Sequence, residues 1–234
     1  MRIVSWNCKN GFEGKKLETI KEYNADILVI LECREKDMEV SGYDRKHRDW
    51  YGDHKEADNL PENIRASRDL GIAVFSKNYS FKLLDTFNPE FRYVIPYTMT
   101  ADKKTLTLFA VWTKSAPIYY DKNVIQAIHA AEYQSFLNSS VIIIGDYNTF
   151  AKEDNGRLET LEEALSPLIN CAKDKRYTKT YFDASNGYGI DDFCFASKDI
   201  ASKIKITIPD DKWDNNHRWK GLSDHCPIIV DFDL

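Results

Sequence analysis

Carboxylate, amide and imidazole side chains stand next to apolar runs at three places in the 234-residue sequence. Two apolar runs end in such residues, at Glu32 and at Asp146 to Asn148, and the triplet Ser223 to His225 precedes a third run. Oxygen donors of this kind bind Mg²⁺ or Mn²⁺, and an imidazole can donate to a phosphate oxygen. Because no packing requirement explains these residues, they indicate a site that binds a metal ion or a phosphate.

The middle position gives the strongest signal. The β-branched run from Val141 to Ile144 is typical of a buried strand, and Gly145 lets the backbone turn closely after it. Asp146 and Asn148 are two positions apart, so on an extended segment their side chains point the same way and could hold one water between them. A simple turn is an equally good interpretation of this segment alone, because Asp and Asn favour turns.

The other two positions are weaker when taken singly. Glu32 is a hard oxygen ligand, but many strands end in a charged residue where the chain returns to solvent. His225 follows Asp224, and the pair Asp191-Asp192 offers a second source of carboxylates. A carboxylate bonded to one imidazole nitrogen would fix its tautomer and favour its charged form.

Taken together, the motifs closely resemble those of the endonuclease/exonuclease/phosphatase superfamily, the deoxyribonuclease I-like group. The resemblance runs in family order from residue 3 to residue 230 and rests on Ser5-Trp6-Asn7, Glu32, Gly145 to Asn148, Ile190-Asp191 before Phe193, and Ser223 to His225 with Pro227. It implies an α/β fold, a four-layer α/β/β/α sandwich whose two mainly antiparallel sheets pack face to face with helices outside. We expect residues 1–234 to form a single catalytic domain with its site at one rim of the sandwich.

The same resemblance implies metal-dependent hydrolysis of phosphodiester bonds. Glu32 would bind Mg²⁺, for which Mn²⁺ could substitute, with Asn7 nearby and Asp224 in or beside the metal shell. Mg²⁺ usually keeps several waters, so few protein ligands are expected.

The catalytic roles also follow from the resemblance. Asp146 would orient or deprotonate the attacking water, and Asn148 would hold that water or a phosphate oxygen. His225, braced by Asp191, would donate to the non-bridging oxygen on which negative charge accumulates.

Two residues depart from the family pattern, and we assign both to substrate binding. Trp112 stands where many members have a histidine; an indole has no acid or base function near neutral pH but could stack a base or a sugar. Simple packing is the alternative for Trp112. Lys9 stands where apurinic endonucleases place a second carboxylate next to the metal, which favours a one-metal site.

The amino-acid composition excludes several classes of protein. A hydrophobic share of 43% and a charged share of 29% exclude a disordered chain, and no apolar run approaches the length of a bilayer span. The five cysteines are an odd number and suggest reduced core residues, and no signal peptide is evident. We therefore expect a cytoplasmic, monomeric protein that acts on nucleic acid or another phosphate ester and contacts no membrane.

Two alternatives to a nuclease remain at this stage. One is a small-molecule phosphatase or phosphodiesterase, and the other is a non-catalytic relative that binds a phosphorylated ligand or a protein. The retained carboxylates favour an enzyme, because each buried carboxylate without a metal or partner would cost stability.

Hydrophobic periodicity predicts the elements that position these residues. Helical spacing covers Lys15 to Tyr23, Lys122 to Leu137 and Leu158 to Leu168. Strand patterns include Thr105 to Val111 and Ile204 to Ile208, and the polar stretch from Trp50 to Arg68 is expected to be a long mobile loop.

Overall fold

The computed structural model describes residues 1–52, 69–91, 93–101, 104–114, 120–151, 156–173, 179–183, 187–209 and 219–233. In chain order its strands are β1 (Arg2–Asn7), β2 (Ile27–Cys33), β3 (Arg48–Gly52), β4 (Gly71–Ser76), β5 (Ser80–Leu83), β6 (Val94–Ala101), β7 (Lys104–Trp112), β8 (Val141–Ala151), β9 (Ile169–Asn170), β10 (Tyr181–Asp183), β11 (Gly187–Ala196), β12 (Lys205–Thr207) and β13 (Ile228–Asp231). The helices are α1 (Lys15–Lys21), α2 (Asp37–Val40), α3 (Asp121–His129), α4 (Ala131–Gln134), α5 (Arg157–Ala164) and α6 (Lys198–Ala201), with short 3₁₀ turns at Arg45–His47 and Ser135–Asn138.

The strands form two mixed sheets. The first has the order β12-β13-β1-β2-β4-β3, and the second has the order β10-β11-β8-β7-β6-β5 with β9 paired to β11. Each sheet contains one parallel pair, β1 with β2 and β7 with β8, and the other pairs are antiparallel. The parallel pairs matter for the site because parallel strands bring their carboxyl ends to the same edge.

Three apolar layers hold the sheets and helices together. The central layer packs the inner faces of the two sheets, with Val29 of β2 and Ile144 of β8 among its fully buried members. A second layer lies outside the first sheet and includes Ile20 of α1, and a third lies outside the second sheet and includes Val124 of α3. The expected four-layer sandwich is therefore confirmed.

The predicted elements agree with the observed ones except at their ends and at one interior break. The helix expected from Lys122 to Leu137 is interrupted at Ala130, whose extended backbone (φ −67°, ψ 144°) separates α3 from α4. The loop expected from Trp50 begins too early, because Trp50 to Gly52 complete β3 by pairing with β4. Residues 53–68 of that expected loop lie outside the described residues. Within the described part of the chain, no helix is long and apolar enough to cross a membrane.

Candidate active site

The central strand of the second sheet positions Asp146 and Asn148. Gly145 has a φ of +148°, and a Cβ there would lie 1.9 Å from the carbonyl oxygen of Val111 on the neighbouring strand. Only glycine therefore allows β8 to approach β7 this closely just before the Asp. Strand β8 continues to Ala151, so Asp146 and Asn148 lie within the strand rather than after its end as the sequence suggested.

The carboxylate of Asp146 is fully buried and held by the residue two positions later. The backbone N–H of Asn148 donates to Asp146 Oδ1 (2.8 Å), and the side-chain amide of Asn148 donates to Asp146 Oδ2 (2.9 Å). The same amide donates to the carbonyl oxygen of Thr113 (3.0 Å). Asn148 makes these contacts from a left-handed backbone with φ 48°, a conformation that Asn tolerates better than most residues.

Asn7 joins the two sheets. It ends β1, and its side-chain amide donates both to Glu32 Oε1 (3.1 Å) at the end of β2 and to Asp146 Oδ2 (2.9 Å) on β8. Glu32 has a left-handed backbone with φ 56°, where the register between β2 and β4 shifts. The structure thus brings Asn7, Glu32, Asp146 and Asn148 into one hydrogen-bonded chain, as their motifs predicted, at one rim of the sandwich.

His225 completes the cluster, but with a different partner from the expected one. Its Nδ1 lies 2.8 Å from Asp192 Oδ2, and its Nε2 lies 3.9 Å from Asp146 Oδ2. The expectation that Asp191 braces His225 is wrong: Asp191 is buried beside the site, while Asp192 makes the contact. The register of β11 against β8 shifts between Ile190 and Asp192. Side chains do not alternate regularly across such a shift, so the sequence alone does not show which of the two adjacent carboxylates faces the histidine.

The buried charges alter each other's protonation. Burial raises the pKa of the Asp146 carboxyl well above its usual range, and the nearby charge of His225 lowers it only in part. Burial alone would lower the pKa of His225, but the charges of Asp192 and Asp146 outweigh burial and raise it to about 10. His225 is therefore a cationic donor at neutral pH, and Asp146 is a stronger base than an exposed aspartate.

Asp224 lies at the same rim and forms an ion pair. The ammonium of Lys9 lies 2.7 Å from Asp224 Oδ2, and the Lys9 side chain is half exposed. Ser223 holds this segment against β1, since its hydroxyl donates to the carbonyl oxygen of Asn7 (2.7 Å). Lys9 and Asp224 are thus next to Asn7, as expected, with the carboxylate of Asp224 already paired to a cation.

Trp112 does not have the expected exposed position. It ends β7 directly opposite Asp146, but it is only 6% exposed and belongs to the central apolar layer. Its ring stacks on Tyr93 with centroids 5.1 Å apart, and the ammonium of Lys114 lies 4.3 Å from the indole centroid. The stacking hypothesis for Trp112 is therefore wrong, and packing, the alternative, is what the structure shows.

Two contacts to the histidine segment were not anticipated. The ring of Tyr181 lies 4.7 Å from that of His225, and the hydroxyl of Thr180 accepts from the backbone N–H groups of Asp191 (3.0 Å) and Asp192 (3.2 Å). Nothing in the local sequence around residues 180 and 181 signals these contacts. Asp192, in contrast, was visible in the sequence beside Asp191, and only the register shift concealed it.

The donor set fits a hard divalent cation. Glu32 and Asn7 offer oxygens at the rim, where Glu32 is only partly buried. Ligand atoms of Asp146, Asp192 and His225 lie within 4.8 Å of one another, and Asp192 Oδ1 is buried without a hydrogen-bond partner among the described residues. A protonated His225 cannot ligate a metal, so Glu32 with Asn7 is the better position for the ion.

The sequence as a whole decides the family. A profile of the Endonuclease/Exonuclease/phosphatase family matches residues 4–225. The chain belongs to this family. Members of the family are hydrolases, nucleases and phosphatases among them, and are generally dependent on a divalent metal ion.

Solved structures of the family share the fold. The chain is similar to the endonuclease domain of TRAS1, a telomere-specific non-LTR retrotransposon, with 15% identity, a TM-score of 0.66, and coverage of 100% of this chain and 98% of that one. It is similar to a family protein from Leptotrichia buccalis (16%, TM-score 0.63, 100% of both chains) and to an AP endonuclease from Archaeoglobus fulgidus (15%, TM-score 0.62, 100% of both chains). No curated protein gives a significant match to the chain. At these identities the likeness to solved structures shows the fold.

Proposed function

We propose that this protein is a divalent-metal-dependent phosphodiesterase that cleaves nucleic acid. The observation that carries the proposal is the continuous contact chain Glu32, Asn7, Asp146 and His225, which crosses from one sheet to the other at a single rim. It unites a metal ligand, a base of raised pKa and a cationic donor. Hydrolysis of a phosphodiester requires these three functions, because the reacting phosphorus centre is anionic and water is a weak nucleophile.

In the proposed reaction Asp146 orients the attacking water and accepts its proton. The raised pKa of this carboxyl supports that role, since a general base works best when its pKa approaches the working pH. Asn148 fixes Asp146 and can turn its amide toward a phosphate oxygen or the same water.

His225 donates from Nε2 to the non-bridging phosphate oxygen on which charge develops. Its Nδ1 is held by Asp192, so the donating nitrogen faces Asp146 and the rim. Asp191 contributes negative charge that raises the pKa of Asp146, and we retain it as a supporting residue of the site.

Glu32, Asn7 and Asp224 would hold the metal ion, Mg²⁺ with Mn²⁺ as a substitute. The ion would supply positive charge that neutralises the phosphate and orients it for in-line attack. Because Asp224 is already paired with Lys9, the protein supplies a cation of its own on that side, which supports a site with one metal.

Lys9 is proposed to contact the substrate. Its ammonium is half exposed at the rim and lies beside the same cluster, so an approaching phosphate could exchange with the carboxylate of Asp224. Two of the structural relatives are an endonuclease domain and an AP endonuclease, which supports nucleic acid as the substrate class. The net charge of −5 argues for recognition at this site rather than by general charge.

The test is a substrate screen with Mg²⁺ and with Mn²⁺. Single-stranded, double-stranded and abasic DNA, RNA and simple phosphate monoesters and diesters would be compared for the wild type, Asp146→Asn and His225→Ala. The matched control is Asp85→Asn, which removes an exposed carboxylate in an ion pair with Lys82. Cleavage of a nucleic acid that both active-site variants abolish and the control retains would support the proposal. Turnover of monoesters alone would replace it with a phosphatase, and no turnover of any substrate would refute it.

We further propose that the enzyme acts as a monomer in the cytoplasm. The five cysteines are all unpaired in the structure, which is consistent with a reducing compartment. Sedimentation of the purified chain and fractionation of its host cell would test the two statements separately.

A further inference from the structure

The loop after β1 has an unusual backbone. Lys9 (φ 49°), Asn10 (φ 61°) and Gly11 (φ 108°) are three consecutive residues in the left-handed region. Glycine adopts this conformation freely and Asn tolerates it, but Lys does so at a cost, so neighbouring contacts must hold Lys9 in place.

The side chain of Lys16, in the first turn of α1, supplies such contacts. Its ammonium donates to the carbonyl oxygens of Cys8, Lys9 and Gly11, all within 3.1 Å. An ammonium has three N–H donors, so these three bonds use its full capacity. Without the cation, the three carbonyl dipoles would converge on one point with their negative ends together.

The same loop contacts three residues of the candidate site. The backbone N–H of Lys9 donates to Asn7 Oδ1 (3.0 Å), and that of Asn10 donates to Glu32 Oε2 (3.2 Å). The Lys9 ammonium pairs with Asp224 at 2.7 Å. A change in the conformation of the loop would therefore move groups that hold Asn7, Glu32 and Asp224.

We propose that Lys16 is a positioning residue: its ammonium fixes the loop from Cys8 to Gly11 and thereby sets the geometry with which Glu32 and Asp224 receive the divalent ion. Lys16 itself touches neither ion nor substrate. The part of the proposal that concerns the ion rests on the proposed function, whereas the part that concerns the loop does not.

The direction of the effect on metal affinity separates positioning from simple charge. If Lys16 acted only as a positive charge near Glu32, its removal would reduce repulsion and tighten Mn²⁺ binding. If it positions the loop, its removal weakens Mn²⁺ binding even though a repelling charge is lost. Residues that orient metal ligands typically contribute about 10–100-fold to metal affinity or activity.

The experiment compares Lys16→Ala, Lys16→Met and the control Lys15→Met, which changes an exposed lysine of the same helix. Mn²⁺ affinity is measured by calorimetry, and amide hydrogen exchange is followed in the peptide that covers Cys8 to Phe12. We expect Mn²⁺ binding weaker by about tenfold or more and faster exchange in both Lys16 variants, with no change in the control. Methylammonium should reverse both effects in Lys16→Ala, which leaves space for it, and not in Lys16→Met, whose side chain fills that space.

Unchanged exchange, or Mn²⁺ binding that is unchanged or tighter, would overturn the proposal. If Lys16→Ala does not fold, the same two measurements on Lys16→Met, which retains an apolar side chain of similar length, test the proposal. If the wild type cleaves no phosphate ester or binds no Mn²⁺, the proposed function fails, while hydrogen exchange and its reversal by methylammonium still decide the role of Lys16 in the loop.

Discussion

Replacing Asp192 with Asn should separate the structural assignment from the one that the motif resemblance implied. The variant keeps the shape of the side chain and a hydrogen-bonding group 2.8 Å from His225 Nδ1, but removes the negative charge. Asp191→Asn is the matched control, because it removes the neighbouring buried carboxylate, which the motif places at the histidine. The two variants have the same composition and differ only in which carboxylate is lost.

The size of the expected effect of Asp192→Asn follows from the pKa of His225. A rise from the ordinary 6.5 to about 10 corresponds to roughly 5 kcal/mol in favour of the charged imidazole, at 1.36 kcal/mol per pKa unit. Asp192 is the largest of the charges that raise the pKa of His225, so its loss should return this pKa toward or below the ordinary value. Turnover should fall by about a hundredfold or more, as expected when a positioned donor loses its charge.

Stability gives an independent measure with a definite sign. Because the folded pKa of His225 is raised, the charged imidazole stabilises the fold fully below about 6.5, and this contribution is lost as pH rises toward about 10. In metal-free buffer, wild-type unfolding free energy should decline across that window by up to roughly 5 kcal/mol. Asp192→Asn should lose most of that decline, and Asp191→Asn should keep it.

The assays are NMR titration of the His225 ring, denaturant unfolding at several pH values, and turnover on the best substrate. His225→Gln identifies the resonance among the five histidines of the sequence. A His225 pKa that falls in Asp191→Asn and stays high in Asp192→Asn would refute the assignment and restore the motif-based one.

Three further outcomes are expected. EDTA should abolish turnover, and Glu32→Gln should raise the Mg²⁺ or Mn²⁺ concentration needed to restore it; full activity in chelator would contradict the metal site. Trp112→Ala should cost about 3–5 kcal/mol in denaturant unfolding, because the indole is packed between the sheets, and equal stability of variant and wild type would reopen the stacking hypothesis. Gly145→Ala should lower unfolding free energy by more than about 2 kcal/mol, since its Cβ would collide with the carbonyl oxygen of Val111; a soluble variant of unchanged melting temperature would show that β7 and β8 can separate locally.

The sequence located the fold and most of the site because both depend on short-range patterns. A buried β-branched run such as Val141 to Ile144 predicts a strand from local sequence alone, and the polar residues that follow it mark where that strand leaves the apolar core, although β8 itself continues to Ala151. Six of the expected residues, Asn7, Glu32, Asp146, Asn148, Asp224 and His225, indeed lie along the same rim.

The errors have a common physical origin in backbone irregularity and long-range packing. The motif resemblance assigned the histidine partner to Asp191, but His225 contacts Asp192, next to the register shift in β11. Trp112 stands where many family members have a histidine, which suggested contact with substrate, yet Tyr93 next to β6 stacks on its ring. No local sequence pattern signals the register shift beside Asp192, and the side chain that covers Trp112 comes from another segment of the chain.

The left-handed backbone at Glu32 and at Asn148 ties these irregularities to function. Each is a non-glycine residue in a costly conformation, and each is stabilised by contacts inside the site: Asn10 N–H to Glu32, and Asn148 to Asp146 and the Thr113 carbonyl. Because Asn7 bonds to both Glu32 and Asp146, the two strained positions belong to one network. Energies within such a network do not add, and double-mutant couplings of about 0.5–3 kcal/mol are typical of residues in contact. Loss of Asn7 should therefore disturb both ends of the site at once, which makes this amide, rather than any single carboxylate, the residue that connects the metal position to the general base.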